Sequence, residues 1–403
     1  MALAVAAGAI VLLALRPWRV AGWIWPVCGA LLLVAIGNEP LDGALSAMIR
    51  QWNVVLFIFG LMGISAAADR SGAFQWIADL VLHRARGSRR RLFTLLFVAC
   101  SLVTILLSND ATAIALTPVV YRAVSDRGVA VKPFLYASVF VANVASFGLP
   151  FSNPANVLIL PHARLIPYLW HLGPPELAAI ALTLAIFLFF FRRELRGHFG
   201  PVDLNAPNMR QRRALYAMSG VAAAYIVALI LHWPLGPVAM CGAVLTVAAS
   251  GTELRDVGSH VSWKNLALLL ALFVLLDAVT RAGFVNFVLA EIGGVLRYGD
   301  LVVTVIAAAG AALLSNVFNN LPIAVAASTI VAHVSSPQIA YPLIVGVDAG
   351  PNLVTSGSLA TILWLSIVRG YGVRITLAEY ARLGALVVPA TIGVSVLWLW
   401  AVG

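Results

Sequence analysis

The chain is a succession of long apolar runs separated by short polar segments. The runs lie near 2–15, 18–36, 52–69, 92–107, 111–124, 134–166, 175–193, 214–232, 234–250, 265–281, 300–314, 318–334, 339–368 and 379–402. A helix that crosses a bilayer needs about 20 consecutive apolar residues. The pattern therefore predicts an all-α polytopic membrane protein with about ten transmembrane helices.

Two pairs of runs stand too close together to be separate spans. The runs 92–107 and 111–124 are interrupted only by Ser108-Asn109-Asp110, and the runs 300–314 and 318–334 at Ser315-Asn316. Half-length helices that meet at a polar tip are typical of re-entrant hairpins, because polar backbone inside a membrane must be covered by protein or water. We predict hairpins at about 92–124 and about 300–334.

Two other runs are too long for one straight span and contain polar residues, glycine and proline. The run 134–166 is interrupted between Phe147 and Pro154, and the run 339–368 between Asp348 and Asn352. Such interruptions are typical of the discontinuous helices that carry binding sites in secondary transporters. We therefore predict two broken helices, one over about 134–166 and the other over about 339–368.

The sequence also repeats itself weakly. Residues 70–72, 106–109 and 153–160 resemble residues 281–283, 313–316 and 358–365, a register that places Asn143 opposite Asp348. Each half then holds five spans and one hairpin, and an odd number of spans requires the halves to be inverted. We predict a first inverted repeat over 1–200, a basic cytoplasmic linker over 201–213, and a second inverted repeat over 214–403.

The basic residues support this layout. With both termini outside, only Arg50, Arg164, Arg281 and Arg297 fall on the outer side, and the other basic residues fall on the inner side. An excess of Lys and Arg in cytoplasmic loops is what membrane topology requires. We predict a multi-pass protein of the inner (plasma) membrane, with its N- and C-termini on the outer face, and no nucleic-acid partner.

The amino-acid composition excludes further classes of function. Residues of the classes AVILMFWYC make up 62% of the 403 positions and charged residues only 10%, whereas soluble domains carry about 25% charge. A soluble enzyme is excluded on this ground. Cys28, Cys100 and Cys241 are isolated and give neither a disulfide framework nor a metal-ligand spacing. No nucleophile–base pair is evident, so we expect a transporter without catalytic residues, metal or cofactor.

Most acidic residues need no special explanation. Asp277 can pair with Arg281 one helical turn away, and a further set is assigned to loops: Glu39, Asp42, Glu176, Glu194, Asp203, Glu253, Asp256 and Glu379. Asp110 and Asp348 differ, since each lies at a predicted break in the membrane interior with no basic neighbour in sequence. Because a charge at that depth is costly, we predict proton coupling at Asp348 and Asp110. The alternative is that they merely cap exposed backbone N–H groups.

Short amide and hydroxyl side chains surround these acids. They can donate and accept hydrogen bonds, as a small polar solute requires, or simply satisfy unwound backbone. The predicted substrate-binding residues are Asn109, Asp110, Thr112, Asn143, Asn316, Asn319, Asn320, Asp348, Asn352 and Thr355. Because no Lys or Arg lies at the breaks, the set favours a neutral polyhydroxy solute or a cation over an anion.

Three segments resemble the arsenite/antimonite efflux permeases (ArsB type) of the ion transporter superfamily. They are Leu107–Pro118 (LSNDATAIALTP), Ser315–Pro322 (SNVFNNLP) and Gly346–Trp364 (GVDAGPNLVTSGSLATILW). The third is the most specific, since dicarboxylate and citrate carriers of the superfamily lack its Gly-x-Asp-x-Gly-Pro run. Two positions depart from the pattern: the hairpin tips differ from the Ser-Asn-Thr of dicarboxylate relatives, and Asn352 stands where permeases often have Lys.

The resemblance implies export of trivalent arsenic and antimony as neutral hydroxides in exchange for protons. It also implies an elevator mechanism, with hairpins and broken helices moving as a transport subdomain against a scaffold subdomain, and in some members a cytoplasmic arsenite-stimulated ATPase. Isolated cysteines agree with reversible binding, because clustered thiolates would trap trivalent arsenic. The alternatives are a cation/proton antiporter or anion symporter of the same superfamily, or a passive channel subunit of an ATP-driven arsenite pump.

Overall fold

The computed structural model describes residues 1–15, 21–283, 294, 296–334 and 337–403, and this part of the chain is helical without a β-sheet. Arg16 and Arg19, which the predicted layout puts on the inner side, lie outside the described residues. The first half contains α1 (Ala2–Leu15), α2 (Ile24–Ala35), α3 (Leu41–Arg50), α4 (Trp52–Arg70), α5 (Ala73–Ala85), α6 (Arg89–Leu106), a π-helical segment (Ala111–Leu116), α7 (Thr117–Ser125), α8 (Val131–Val144), α9 (Pro154–Ile159) and α10 (Leu165–Phe190).

The second half begins after an extended basic segment. It contains α11 (Met209–Ile230), α12 (Leu235–Ser250), α13 (Leu254–His260), α14 (Trp263–Arg281), α15 (Asp300–Phe318), α16 (Asn320–Val334), α17 (Pro337–Ala349), α18 (Leu359–Gly370) and α19 (Leu377–Val402). Six helices in the described residues, namely α4, α10, α11, α14, α15 and α19, are long and apolar enough to cross a membrane, and others are apolar but shorter. The protein is therefore an all-helical, multi-pass membrane protein. The inverted relation of its halves and the domain boundaries remain predictions.

Close helix packing depends on small residues. Gly60 and Gly63 of α4 face Ala239 and Ala243 of α12, so closely that a methyl group on either glycine would overlap its neighbour. Small residues let backbones approach in this way, and membrane helices gain their association energy from such packing. Helix α14 packs on α1, α2 and α3 around a second cluster that includes Leu33. These helices form one group, to which α11 and α13 also belong through their contacts with α4.

The remaining helices form a second group around two helix breaks, which we call the first break (residues 145–153, between α8 and α9) and the second break (residues 350–358, between α17 and α18). α8 packs against α6, α7 and α10, α17 packs against α15, α16 and α19, and α10 packs along α19. The interior of this group is aromatic in the first half, where Phe93, Phe134, Phe140 and Phe187 make edge-to-face contacts with ring centroids 5.2–5.4 Å apart. The two groups meet at α4 and α14, which face the π-helical segment, α9 and α16.

One end of the helices gathers most of the basic loops. Arg70 lies 3.6 Å from Asp256, Lys132 lies 2.9 Å from Glu379, and the backbone N–H of Arg89 donates to the carbonyl of Gly197. We call this end the basic face. At the opposite face, Asp277 pairs with Arg50 and Arg281, and Trp398 donates to the carbonyl of Trp170. The predicted Asp277–Arg281 pair is therefore confirmed, with a nitrogen–oxygen distance of 2.8 Å.

Two predicted boundaries are wrong. The run 134–166 does not continue past Ile159, and the next helix begins at Leu165 rather than near 175, with Pro174 and Pro175 inside it. Prolines are tolerated in membrane helices because neighbouring groups satisfy the backbone carbonyls they leave unpaired. The interruption assigned to Ser315-Asn316 also lies elsewhere, since α15 continues to Phe318 and the chain turns at Asn319, whose φ is +75°.

Candidate functional site

The first tip consists of residues 107–110, where the chain turns between the end of α6 and the π-helical segment. The Thr104 hydroxyl donates to the Thr112 hydroxyl at 2.8 Å, a contact that a continuous helix cannot make between residues eight apart. Ser108 stabilises the turn, since its Oγ accepts from the Ala111 N–H at 3.1 Å. Asn109 is buried, and its amide oxygen has no hydrogen-bond partner among the described residues. The tip therefore presents a free acceptor beside half-buried Asp110.

The second tip is formed by Asn319 and Asn320, where the chain turns from α15 into α16. The Asn319 amide oxygen accepts from the N–H of Leu321 at 3.3 Å, and its amide nitrogen donates to the carbonyl of Ser356 at 3.4 Å. The backbone N–H of Asn320 donates to the carbonyl of Gly357 at 2.9 Å, which joins the tip to the second helix break. The side-chain oxygen of buried Asn320 lacks a hydrogen-bond partner in the described part of the chain. Each tip thus has one buried amide oxygen free to accept.

The two helix breaks bind each other through side chains. Asp348, at the end of α17, accepts from the Ser146 hydroxyl at 3.0 Å and from the Asn153 amide nitrogen at 2.7 Å. Asn143, at the end of α8, donates to the Asn352 amide oxygen at 2.9 Å and to the Thr361 hydroxyl at 3.3 Å. Each break therefore supplies partners to the other. Asp348 is only 1% exposed, so these donors replace the water that a carboxylate would otherwise bind.

A small cavity of about 30 Å³ lies where the tips and breaks meet. Its polar lining is formed by Asn109, Asp110, Asn153, Asn265 and Asn320, and α18 contributes its first residues, Leu359 and Ala360. No Lys or Arg belongs to the lining within the described residues. The volume suits a solute of a few heavy atoms, because larger organic ligands need pockets of about 300 Å³ or more.

A wider vestibule connects this region with the basic face. It has a volume of about 340 Å³ and shares Asp110, Pro154 and Asn265 with the small cavity, while Asp69 and Arg122 lie nearer its mouth. Asp110 therefore lines both spaces. The vestibule therefore extends from the small cavity toward the basic face, where Asp69 and Arg122 line it.

The predicted site residues fall into three positions. Asn109, Asp110 and Asn320 line the small cavity. Asp348, Asn143 and Asn352 lie behind Asn153 in the network that joins the breaks. The others serve local structure or neighbour the site: Thr112 bonds to Thr104, Asn316 bonds to Gly350 and Val354, Asn319 lies next to Asn320, and Thr355 is half-buried in the second break.

Sequence reasoning missed three residues of this region. Asn153 lies in the predicted interruption between Phe147 and Pro154 but is not among the predicted binding residues, and neither is Asn265 of α14, although both line the cavity. Glu176 was assigned to a loop, which is wrong: it lies inside α10, is 3% exposed, and accepts from the Gly148 N–H at 2.7 Å. Pro174 and Pro175 directly precede Glu176, and all three residues lie inside the helix.

Residues 10–355 match the citrate transporter family, CitMHS. The chain belongs to this family. An arsenical pump membrane protein of Yersinia enterocolitica is 29% identical over 389 residues, which cover 91% of this chain and 90% of the relative. An uncharacterized transporter of Mycobacterium tuberculosis is 28% identical over 394 residues, covering 93% and 92% of the two chains. These relatives confirm the resemblance to the arsenite permeases.

A solved structure supports the fold independently. The YdaH transporter of Alcanivorax borkumensis, described as having an unusual topology, superposes with a TM-score of 0.61 and covers 94% of this chain and 97% of its own, at 12% identity. At that identity the likeness concerns the fold alone. Together with the family match, it establishes this CitMHS protein as a membrane transporter.

Proposed function

We propose that this CitMHS protein exports trivalent metalloid hydroxides, arsenite and antimonite, in exchange for protons. The observation that carries the proposal is the small polar cavity, whose described lining contains amides and Asp110 but no Lys or Arg. Amide groups donate and accept hydrogen bonds and so can replace the hydration of a neutral hydroxide. Relatives named as arsenical pump membrane proteins favour the same class of substrate.

The charge of the cavity argues against citrate, despite the family's description. A carboxylate substrate would lie beside Asp110 with no Lys or Arg of the described lining to compensate its charge. Two like charges in one small cavity repel each other strongly when water is excluded. Four helical segments begin around the cavity, at Ala111, Pro154, Asn320 and Leu359, and their N-terminal ends offset the charge of Asp110. A neutral solute fits this balance better than a trivalent anion.

The proton partners follow from the same geometry. We infer that Asp110 exchanges a proton directly with substrate occupancy, because it lines the cavity and the vestibule. Asp348 would respond through Asn153, which touches the cavity on one side and Asp348 on the other. Occupancy by proton and by solute would then exclude each other, as antiport requires.

The arrangement of helices favours an elevator. Ile58 and Met62 of α4, with Asn265 and Leu269 of α14, face the tips and breaks across the cavity. A site at the boundary between two helix groups can change its exposed face if one group slides against the other. In this proposal the group of tips, breaks, α10 and α19 is the transport subdomain. The basic face is cytoplasmic, the termini are outside the inner membrane, and the present state is open to the cytoplasm.

The direct test is uptake of radiolabelled arsenite into acid-loaded liposomes that contain only this protein. We expect accumulation that a proton ionophore abolishes, that needs neither sodium nor ATP, and that excess citrate does not inhibit. The double variant Asp110→Asn/Asp348→Asn should lose the accumulation, whereas the control Asp203→Asn in the linker should keep it. Sodium dependence would indicate a cation-coupled carrier, and arsenite flux without proton dependence would indicate a passive channel subunit; either result would reject the proposal.

A further inference from the structure

Glu176 is a buried carboxyl that the exchange described above does not use. It lies near the middle of α10, and within the described part of the chain no ion pair includes it. An unpaired carboxylate in a membrane interior costs several kcal/mol. A glutamine would form the same bond to backbone at lower cost, so the acid itself requires an explanation.

Glu176 and Asp348 bind the same short stretch of the first break. Glu176 accepts from the N–H of Gly148, and Asp348 accepts from the hydroxyl of Ser146, two residues away. The Cα atoms of these two donor residues are at most about 7 Å apart, so both carboxyl groups are held on one short segment of the break, and they act on each other electrostatically. Two carboxylates that bind the same buried segment repel each other. Protonation of one carboxyl therefore favours ionisation of the other.

A buried hydroxyl lies on the far side of this pair. Tyr168 lies on α10 about two turns before Glu176, at about 12 Å along the helix axis. It is fully buried, and its hydroxyl has no hydrogen-bond partner among the described residues. Asp348 and Glu176 both act on it electrostatically. When a neighbouring carboxyl loses its proton, the free Tyr168 hydroxyl can donate a hydrogen bond to the resulting carboxylate.

Further titratable groups continue from Tyr168 to the face opposite the vestibule. The Tyr341 ring lies 6.1 Å from the Tyr168 ring, and His171 stacks on Tyr341 with centroids 4.5 Å apart. His171 and Tyr341 line a small pocket with Asp300, at the first residue of α15. The groups that face Glu176 are therefore Asp348 and Tyr168, followed by Tyr341, His171 and Asp300 toward the surface.

We propose that Glu176 is a further proton-binding carboxyl of the transporter, besides Asp110 and Asp348, which takes up a proton from the face opposite the vestibule and shares it with Asp348. The inference rests on the proposed proton-driven function. The step is a simple transfer: a proton from water at the pocket of His171 and Asp300 binds the Glu176 carboxylate, and it leaves again to water when the site faces the cytoplasm. Substrate does not touch Glu176, since the residue lies outside the cavity lining.

The first test needs no substrate. Infrared difference spectra of the purified protein between acidic and alkaline buffer should show a protonated-carboxyl band that Glu176→Gln removes. The control Glu39→Gln removes a carboxyl that is equally buried but lies near Arg281, far from the site, and should leave that band unchanged. An identical band in wild type and Glu176→Gln would overturn the inference, whatever the substrate is.

The second test separates coupling from structural support. Glutamine keeps an oxygen that accepts from Gly148, so Glu176→Gln should retain exchange of arsenite between equal concentrations on both sides of a liposome. The same variant should lose arsenite accumulation driven by a pH gradient. Loss of both activities would indicate support of the break only, and retention of both would show that Glu176 carries no coupled proton; either overturns the inference. If wild type moves no arsenite while the infrared band behaves as expected, the substrate assignment fails instead.

Discussion

The two helix breaks meet at one cavity, but different side chains satisfy their unwound backbones. In the first break the N–H of Gly148 donates to the Glu176 carboxyl at 2.7 Å. In the second, Asn316 donates to the carbonyl of Gly350 at 2.7 Å and accepts from the N–H of Val354 at 3.0 Å. The first break is thus supported by an acid together with the amide of Asn156, which donates to the carbonyl of Ser146 at 2.7 Å, whereas the contacts named for the second come from a neutral amide.

This difference has a consequence for response to pH. An amide has the same donors and acceptors at every physiological pH, whereas a carboxyl gains a donor when it is protonated. We therefore expect the second break to be a fixed unit with the tip that Asn316 and Asn320 join to it, and the first break to respond to proton binding. The proton-linked acids are then distributed across both halves, because Asp348 belongs to the second break but finds its donors in the first.

The packing of the helices beside the breaks also differs between the two halves. α17 approaches α15 through Gly346 and Gly350, which contact Ala308 and Ala312 so closely that an added methyl group would overlap backbone atoms. In the first half, large aromatic side chains fill the space between α6, α8 and α10. Backbone-to-backbone packing leaves little freedom to shift, whereas aromatic packing can adjust by side-chain rotation.

The largest expected effect comes from adding a charge at the junction of the breaks. In Asn153→Asp the donor that lies 2.7 Å from Asp348 becomes a second carboxyl oxygen, and two carboxyl groups at that distance cannot both ionise. We expect loss of pH-driven arsenite accumulation by about tenfold or more, because one pKa unit of altered proton affinity already amounts to about 1.4 kcal/mol. Transport into acid-loaded liposomes measures it.

The control for this variant is Asn208→Asp, which makes the same change at the N-cap of α11. Asn208 is exposed, and its side-chain oxygen accepts from the Gln211 N–H at 2.9 Å, a role that aspartate fills equally well. Wild-type coupling in Asn153→Asp would mean that Asp348 does not communicate with the cavity through Asn153.

The next effect is on stability and concerns the second half. A methyl group at Gly346 would overlap the carbonyl oxygen of Ala308, and backbone cannot move aside as a flexible side chain can. Gly346→Ala should destabilise the protein by about 3 kcal/mol, at the upper end of the usual cost of overpacking. Thermal unfolding of the purified protein, followed by loss of helical circular dichroism, checks this.

Gly310→Ala is the matched control, since it lies in α15 beside the same contact but has open space around its Cβ position. Alanine is the better helix former, so its melting temperature should be unchanged or slightly higher. Equal melting of Gly346→Ala and wild type would show that α15 and α17 separate readily, and the proposed rigidity of the second half would be wrong.

A smaller effect is expected from removing the amide that supports the second break. Asn316→Ala leaves the carbonyl of Gly350 and the N–H of Val354 without the bonds described above, at about 2 kcal/mol for unsatisfied buried groups. The loss of stability should be the same at pH 6 and pH 8, because no ionisable group is removed. A strong pH dependence of the loss would contradict the contrast drawn between the two breaks.

The polar interruptions in the sequence predicted where the site lies better than they predicted where the surrounding helices end. Ser108-Asn109-Asp110 and the two breaks are visible because polar, glycine and proline residues interrupt apolar runs, and Asn109 and Asp110 do line the cavity. Asn316 shows the limit. In an apolar helix an asparagine can donate to the carbonyl four residues before it, as Asn316 does to Ala312 at 2.7 Å, and the helix then continues to Phe318.

Long-range partners could not be read from local pattern at all. Asn265 lies on a helix of the other group, and only the tertiary arrangement of α14 and the tips puts it beside the cavity. Glu176 follows two prolines, which favour a loop in soluble proteins, yet in a bilayer a helix remains the best way to satisfy the backbone. Likewise, the position of the vestibule beside the tips depends on how α4 packs against the π-helical segment, which local sequence pattern does not specify.

The smallest expected effect concerns the link between the halves at the basic face. Lys132, at the start of α8, pairs with Glu379, at the start of α19, at 2.9 Å, and both side chains are partly exposed. Exposed pairs contribute at most about 1 kcal/mol and are screened by salt. Lys132→Ala should therefore lower the melting temperature slightly at low salt and not at high salt, while Lys264→Ala, an exposed lysine outside the described ion pairs, should change neither. If Lys132→Ala destabilised the protein as much as Asn316→Ala, the halves would be held together at the basic face rather than through the contacts between the breaks.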